Sequence, residues 1–225
     1  MKNLKIATFN INKNDSDFPK RIFDLSDIIR KSKIDILCLQ EDFNSKEFSS
    51  GKFLNLELDY NYISTKTREK LRNKIKSSSN LTILSRYPIT LIDEVFFNKG
   101  KEQERAFQLV KITIDSKDIF LVNTHLCHLN SKNRIEQVKT ILKKLDKYKD
   151  ELKIICGDLN ALPAYNEIRT IKKSDFIDNN NEFTHEDKVV LDYIFYKSSS
   201  QIETKSKIIL KNYSDHYCLV KTFRF

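Results

Sequence analysis

Apolar residues recur along this chain in short runs that end abruptly in polar ones. Residues 4–10 (LKIATFN) read as a strand finishing on Asn10. From 18 to 32, Phe18, Ile22, Phe23, Leu25, Ile28 and Ile29 fall at helical spacing. Residues 34–40 (IDILCLQ) form the short apolar run of a buried strand. Further strands are expected around 60–65, 80–86, 89–97, 105–114 and 118–125. A helix is expected over 132–147, with Ile135, Val138, Ile141, Leu142 and Leu145 on one face. A strand at 152–157, a short helix near 164–172 and strands at 190–196, 204–210 and 217–223 complete the pattern. Strands interrupted by helices at intervals imply two packed sheets covered by helices, an α/β architecture.

One segment breaks the apolar rhythm. Over 66–76 (KTREKLRNKIK), Lys66, Arg68, Lys70, Arg72, Lys74 and Lys76 stand at every second position. An extended chain puts all of them on one face, where they could track a phosphate backbone. The competing expectation is a solvated hairpin whose lysines discourage edge pairing.

With 225 residues, no internal repeat and no Pro- or Gly-rich linker, the chain is expected to form one domain over 1–225. Apolar residues make up 40%, enough for a sizeable core. No run approaches the roughly 20 apolar residues of a membrane-spanning helix. The opening MKNLKIATFNIN turns polar too soon for a secretory signal, so a cytoplasmic address is the expectation; a monomer is assumed. Cys38, Cys127, Cys156 and Cys218 lie in or beside apolar runs without a CxxC pair and are expected to be reduced and buried. His125, Cys127 and His128 are close in sequence, but strand alternation would turn His128 away from the other two. The net charge of +9 suits an anionic partner, nucleic acid or a phospholipid headgroup.

The candidate chemistry sits where the apolar runs stop. Asn10 ends ATFN, Glu41 ends ILCLQE, His125 ends FLVNTH, and Asp158 and Asn160 follow IICG. Asp192 interrupts VVLDYIF, and Asp215 and His216 precede YCLVKTF. Strand ends deliver such residues to one rim of a sheet, where active sites of open α/β folds cluster. Hard carboxylate oxygens bind Mg²⁺, which acts as a Lewis acid on a phosphoryl oxygen. A histidine held by a carboxylate, for which Asp192 and His216 are candidates, serves as acid, base or phosphate contact.

The ordered set TFNIN, CLQED, ILSRYPI, ERAFQLV, NTHL, GDLN, LDYIFY and SDHYCLV resembles the endonuclease/exonuclease/phosphatase superfamily. The resemblance runs from Asn10 to His216 and implies a four-layer αββα sandwich of two mostly antiparallel mixed sheets. It implies a Mg²⁺-dependent hydrolase of phosphate esters, with Mn²⁺ as a possible substitute. Glu41 resembles the metal carboxylate, Asn10 a metal and phosphate support, and Asp215 a second metal-proximal carboxylate. Asp158 resembles the group that orients or deprotonates the attacking water. Asn160 and His125 resemble phosphate contacts, and Asp192 the carboxylate orienting His216. Arg105 falls where the family often has a phosphate-facing cation.

Departures from the subfamily patterns leave the substrate open. Position 12 is Asn where abasic-site endonucleases usually have Asp, and Tyr193 follows Asp192 where tyrosyl-DNA phosphodiesterases have Arg. A nuclease or DNA-end-processing repair enzyme is the leading expectation. A lipid or small-molecule phosphodiesterase is the alternative. A non-catalytic binding module is disfavoured because Glu41, Asp158, Asp215 and His216 are all present.

Overall fold

A computed structural model describes residues 3–11, 20–72, 75–97, 105–149 and 151–225. The chain begins with β1 (Asn3–Asn10), α1 (Lys20–Ser32) and β2 (Ile36–Ser45), followed by α2 (Ser50–Asn55). Next come β3 (Asn61–Arg72), β4 (Ile75–Ser85), β5 (Ile89–Phe96), β6 (Ala106–Ile114) and β7 (Lys117–His125). Then follow α3 (Ser131–Leu145), β8 (Leu152–Asp158), α4 (Asn166–Lys173), β9 (Asp192–Lys197), β10 (Glu203–Ile209) and β11 (Cys218–Arg224).

The strands form a six-stranded sheet, ordered β10-β11-β1-β2-β4-β3, and a five-stranded sheet, ordered β5-β6-β7-β8-β9. Most neighbours are antiparallel. Each sheet holds one parallel pair, β1 with β2 and β7 with β8, and each pair is joined through a helix, α1 or α3. Such a crossover is what a parallel connection requires.

Three apolar clusters make the layers. Ile6, Cys38, Ile83, Val110, Leu121, Ile154 and Leu219 fill the space between the sheets. Val138, Ile141, Ile168 and Ile171 pack α3 and α4 on Leu109, Val122 and Phe195 of the second sheet. Ile22, Leu25, Ile29 and Leu54 pack α1 and α2 on Phe9, Leu37 and Val220 of the first. The result is the αββα sandwich, with apolar strand residues buried on both faces.

The expected helix start at Phe18 lies outside the described residues, as do Asn12 and Lys74. The short helix α2 was not expected. Its six residues are too few for an apolar stripe to show, and it begins at Ser49, whose side chain accepts from Lys52 N. All four cysteines are buried, and no disulfide joins them.

The basic segment requires a correction. It is a hairpin of β3 and β4, but the pairing slips between Lys66, opposite Asn80, and Arg68, opposite Ser79. The extra residue at Thr67 is a bulge that flips the faces. Backbone positions 68, 70 and 72 pair with Ser79, Ser77 and Ile75, whereas Lys66 pairs with Asn80 and Lys76 with Leu71. Lys66 and Lys76 therefore share the opposite face, where both contact Glu69. The hairpin, the competing expectation, is what forms, and among the described residues Lys66 and Lys76 do not share the face of Arg68.

Candidate active site

The first parallel pair delivers Asn10 and Glu41 to one rim, and the second delivers His125 and Asp158. His125 and Asp158 end adjacent parallel strands in register, and Asp192 opens β9 directly opposite Asp158. Asn10 Nδ2 donates to Asp158 Oδ2 at 3.1 Å, bridging the two sheets. His125 Nε2 lies 3.1 Å and His216 Nε2 3.7 Å from that same oxygen. The other oxygen, Oδ1, accepts from the backbone N–H of Asn160 at 2.9 Å.

Asp192 is fully buried and its Oδ2 lies 2.8 Å from His216 Nδ1. Its backbone N–H donates to Thr184 Oγ1 at 3.0 Å, and its Oδ1 is a buried atom without a hydrogen-bond partner among the described residues. Ser214 ties this corner to β1, its hydroxyl donating to Asn10 O at 2.9 Å. The backbone N–H of His216 donates to Asp215 Oδ1 at 3.0 Å.

These contacts set the charges. Burial alone would raise the Asp158 carboxyl, but His216, His125 and the Asn160 N–H hold it well below the usual carboxylate range. Burial pushes His216 down, yet the carboxylates of Asp192 and Asp158 outweigh it and raise it to about 10. Burial raises the Asp192 carboxyl, but the proton of this pair rests on His216. His125 is lowered, first by burial and then by Arg105. At neutral pH the rim presents a cationic His216 beside a neutral His125.

Glu41 owes its aim to a bulge. Between Leu39, opposite Thr82, and Asp42, opposite Asn80, β2 carries one extra residue, and Glu41 takes a left-handed φ of 55°. Strain of this kind costs about 1–3 kcal/mol and must be held by the surroundings. Asp42 supplies the hold: its buried carboxylate accepts from Gly51 N at 2.7 Å and Thr82 Oγ1 at 2.6 Å. A buried amide network lies beneath the rim. Gln40 Nε2 donates to Asn123 Oδ1 at 2.8 Å, and Asn123 Nδ2 donates to Gln108 Oε1 at 3.1 Å.

Two expected residues, and the neighbour of one of them, sit less simply. Asn160, at φ 49°, uses one side-chain N–H on Leu126 O at 3.0 Å, so it also braces the segment after His125. Arg105 is half-buried with its guanidinium 3.3 Å from His128 Nδ1. His128 is exposed and lies beyond the end of β7, so strand alternation does not govern it.

Two residues that sequence reasoning missed join the site. His185 stacks edge-on against His216, with ring centroids 4.7 Å apart, and its Nε2 is 4.0 Å from Asp215 Oδ2. Thr184 is buried and holds the backbone of Leu191 and Asp192. Both come from a segment without periodicity, and only the pairing of His185 with His216 brings them to the rim.

The donor set suits a hard divalent cation. Potential ligand atoms of His185, Asp215 and His216 lie within 4.8 Å of one another, as do those of Asp158, Asp192 and His216. Neither group includes Glu41 or Asn10. Mg²⁺ keeps most of its waters and takes one or two carboxylates, so a site at Glu41 does not require three clustered ligands. In the second group, Asp192 and Asp158 are already engaged with the two nitrogens of His216.

A metal-suited rim of carboxylates, amides and histidines on an αββα sandwich defines a phosphoesterase-type fold. The chain belongs to the endonuclease/exonuclease/phosphatase family, whose sequence profile matches residues 7–216. An endonuclease/exonuclease/phosphatase family protein from Leptotrichia buccalis superimposes with a TM-score of 0.78 at 20% identity, covering 99% of this chain and 100% of that one. A Bacteroides thetaiotaomicron mannosyl-6-phosphatase gives 0.75 at 16% identity over 99% and 100%. Truncated Caenorhabditis elegans TDP2 gives 0.71 at 17% over 99% and 98%. No curated protein matches the chain.

Proposed function

We propose that this protein is a Mg²⁺-dependent phosphodiesterase that hydrolyses phosphodiester bonds in DNA. The observation that carries the reaction is the meeting of Asn10, His125 and His216 around one oxygen of Asp158, from strands of both sheets. Glu41, with Asn10 and Asp215 nearby on the rim, would hold the ion, and Mn²⁺ would serve in its place. When bound, the ion supplies Lewis-acid stabilisation of the phosphoryl and leaving oxygens.

The residues of the chain do the rest. Asp158, held deprotonated between imidazoles, accepts a hydrogen bond from the attacking water and aims it. Its low proton affinity suits orientation better than full proton abstraction. Cationic His216, fixed by Asp192, donates to a non-bridging phosphoryl oxygen and offsets the charge that builds there. Arg105 contacts the phosphate from the opposite side, and neutral His125, whose N–H is given to Asp158, lines the phosphate site and holds that carboxylate in place.

DNA is favoured by the net charge of +9 and by the β3–β4 hairpin. This hairpin extends past the rim, because Asn80 and Lys66 lie level with Asp42 across the sheet. A small-molecule phosphate ester is the second reading, and a hollow beside His185 favours it.

The test is a turnover panel with Mg²⁺. It pairs plasmid, single-stranded, abasic and 5′-tyrosyl DNA with sugar phosphates, phosphoinositides and sphingomyelin, run beside Glu41→Gln and His216→Ala. DNA cleavage that stops with EDTA and falls at least about 100-fold in each variant is expected. Turnover confined to a small phosphate ester would overturn DNA as substrate and leave the hydrolase. No turnover of any ester with Mg²⁺ or Mn²⁺ would overturn the enzyme.

A further inference from the structure

His185 has two sides. One meets His216 edge-on. The other lines a hollow of about 360 Å³, together with Glu182, Phe183, Lys188, Lys211 and Tyr217. His216 does not line this hollow, so the His185 ring is the wall between it and the rim. A volume of this size lies in the range of small-ligand pockets.

The wall is preorganised, and the backbone that carries the cations is fixed. His185 Nδ1 accepts the backbone N–H of Asp187 at 3.1 Å, which fixes the ring and leaves Nε2 as the donor directed at the rim. Lys188 closes the same turn, its N–H donating to His185 O at 3.1 Å, and holds a left-handed φ of 58°. Lys211 arrives from the loop after β10, its Nζ 5.9 Å from the centre of the Tyr217 ring. Tyr217 is bound in turn to the first segment through its N–H to Thr184 O at 2.7 Å. Two lysines thus line one concavity, with the carboxylate of Glu182 beside them and that of Asp187 3.4 Å from His185 Nδ1. Phe183, 53% exposed, adds apolar surface at its edge.

We propose that this hollow is a subsite for a second phosphate of the substrate, held by Lys188 and Lys211 while the scissile phosphate lies at His216. The inference rests on the phosphoesterase reading and narrows it to substrates that carry two phosphates close together. Tyr217 and Phe183 offer a face to the sugar or base between those phosphates, a contact that a planar base strengthens by stacking. A nucleotide bearing a flanking phosphate and a bisphosphorylated cyclitol share the required chemistry.

Calorimetric titration of the whole protein separates these sources. The ligands are adenosine 5′-monophosphate, adenosine 3′,5′-bisphosphate and inositol 1,4-bisphosphate, each tested on the parent and on the Lys188→Ala/Lys211→Ala double variant. Both lysines are exposed, so the fold is retained. At least one bisphosphate is expected to bind about tenfold or more tighter than the monophosphate. That gain is lost in the double variant, while affinity for the monophosphate is unchanged. A gain for the nucleotide alone identifies a nucleic-acid-like substrate, and a gain for the cyclitol alone a small-molecule one. Equal affinity for all three ligands, or a gain that survives the double substitution, overturns the subsite. Amide NMR shifts keep the two readings apart. If the monophosphate perturbs His125, Asp158 and His216 without any bisphosphate gain, the subsite fails and the phosphoesterase stands. If no phosphate ester perturbs those amides, the phosphoesterase reading fails and takes the subsite with it.

Discussion

His216 is the residue on which the charge pattern of the rim turns. Its imidazole sits between Asp192 and Asp158, which raise it to about 10 against the pull of burial. An unfolded histidine titrates near about 6.5. The His216 contribution to stability is therefore complete below about pH 6.5 and is lost as pH rises through about 10. Replacing Asp192 by Asn removes the larger of the two attractions. In the metal-free protein, an NMR titration of Asp192→Asn should find the His216 pKa lowered by more than about one unit. An unchanged pKa would mean that Asp192 does not hold the proton on His216. Sequence reasoning named both partners but could not give their 2.8 Å separation, because Asp192 opens β9 in one sheet and His216 lies in the loop before β11 of the other.

At the scale of elements, local departures from regular strand geometry place the chemistry. The bulge at Gln40–Glu41 turns a strand residue to the rim, and the bulge at Thr67 divides the basic hairpin. Gly157 is a third case: it holds φ 140°, and an added Cβ would lie 1.9 Å from Thr124 O on the parallel neighbour. No side chain can absorb that clash, since the obstructing atom is backbone. Gly157→Ala should destabilise the protein by more than about 4 kcal/mol, read as loss of a cooperative thermal transition. A native melting temperature in that variant would refute the close approach. The Thr67 bulge makes a separate prediction. Thr65, just before it, bonds Gln108 of the other sheet at 3.0 Å, so Leu81 and Ser79 share the side that looks toward the second sheet. Arg68, paired with Ser79, is on that side, and Lys76 is on the other. Arg68→Ala should weaken DNA binding several-fold more than Lys76→Ala in a fluorescence titration at low salt. Equal losses would indicate that the hairpin attracts DNA by charge alone.

For the molecule as a whole, two parallel βαβ units, one in each sheet, point the ends of their strands to the same rim. Asn10 and Glu41 come from one unit, His125 and Asp158 from the other. The antiparallel strands β9 and β11 then bring Asp192 and His216 in from their starts. The buried amides of Gln40, Asn123 and Gln108 join the sheets directly beneath. Such a network fixes the relative position of the two halves, because a shift of either would leave buried polar groups unpaired. The subsite proposed beside His185 belongs to this scale as well, since its lysines come from separate loops that only the packed molecule sets side by side.

The alternation of apolar runs and helical stripes located every element but α2, because buried strands write an apolar signature into the chain; β2, β3 and β4 run five or more residues beyond their apolar runs, where the sequence turns polar. The ordered polar ends of those runs determined the candidate rim, since a strand end is one place where a polar side chain can stay near water beside a buried sheet. Tertiary structure alone decided the rest. Bulges at Glu41 and Thr67 leave no periodic trace, as each shifts the faces by a single residue. The places of His185 and Thr184 depend on the pairing of His185 with His216 and on the bond from Tyr217 N–H to Thr184 O, between two late segments far apart in sequence. The charges on His216 and Asp158 arise from distances and burial, which exist only once the sheets have packed.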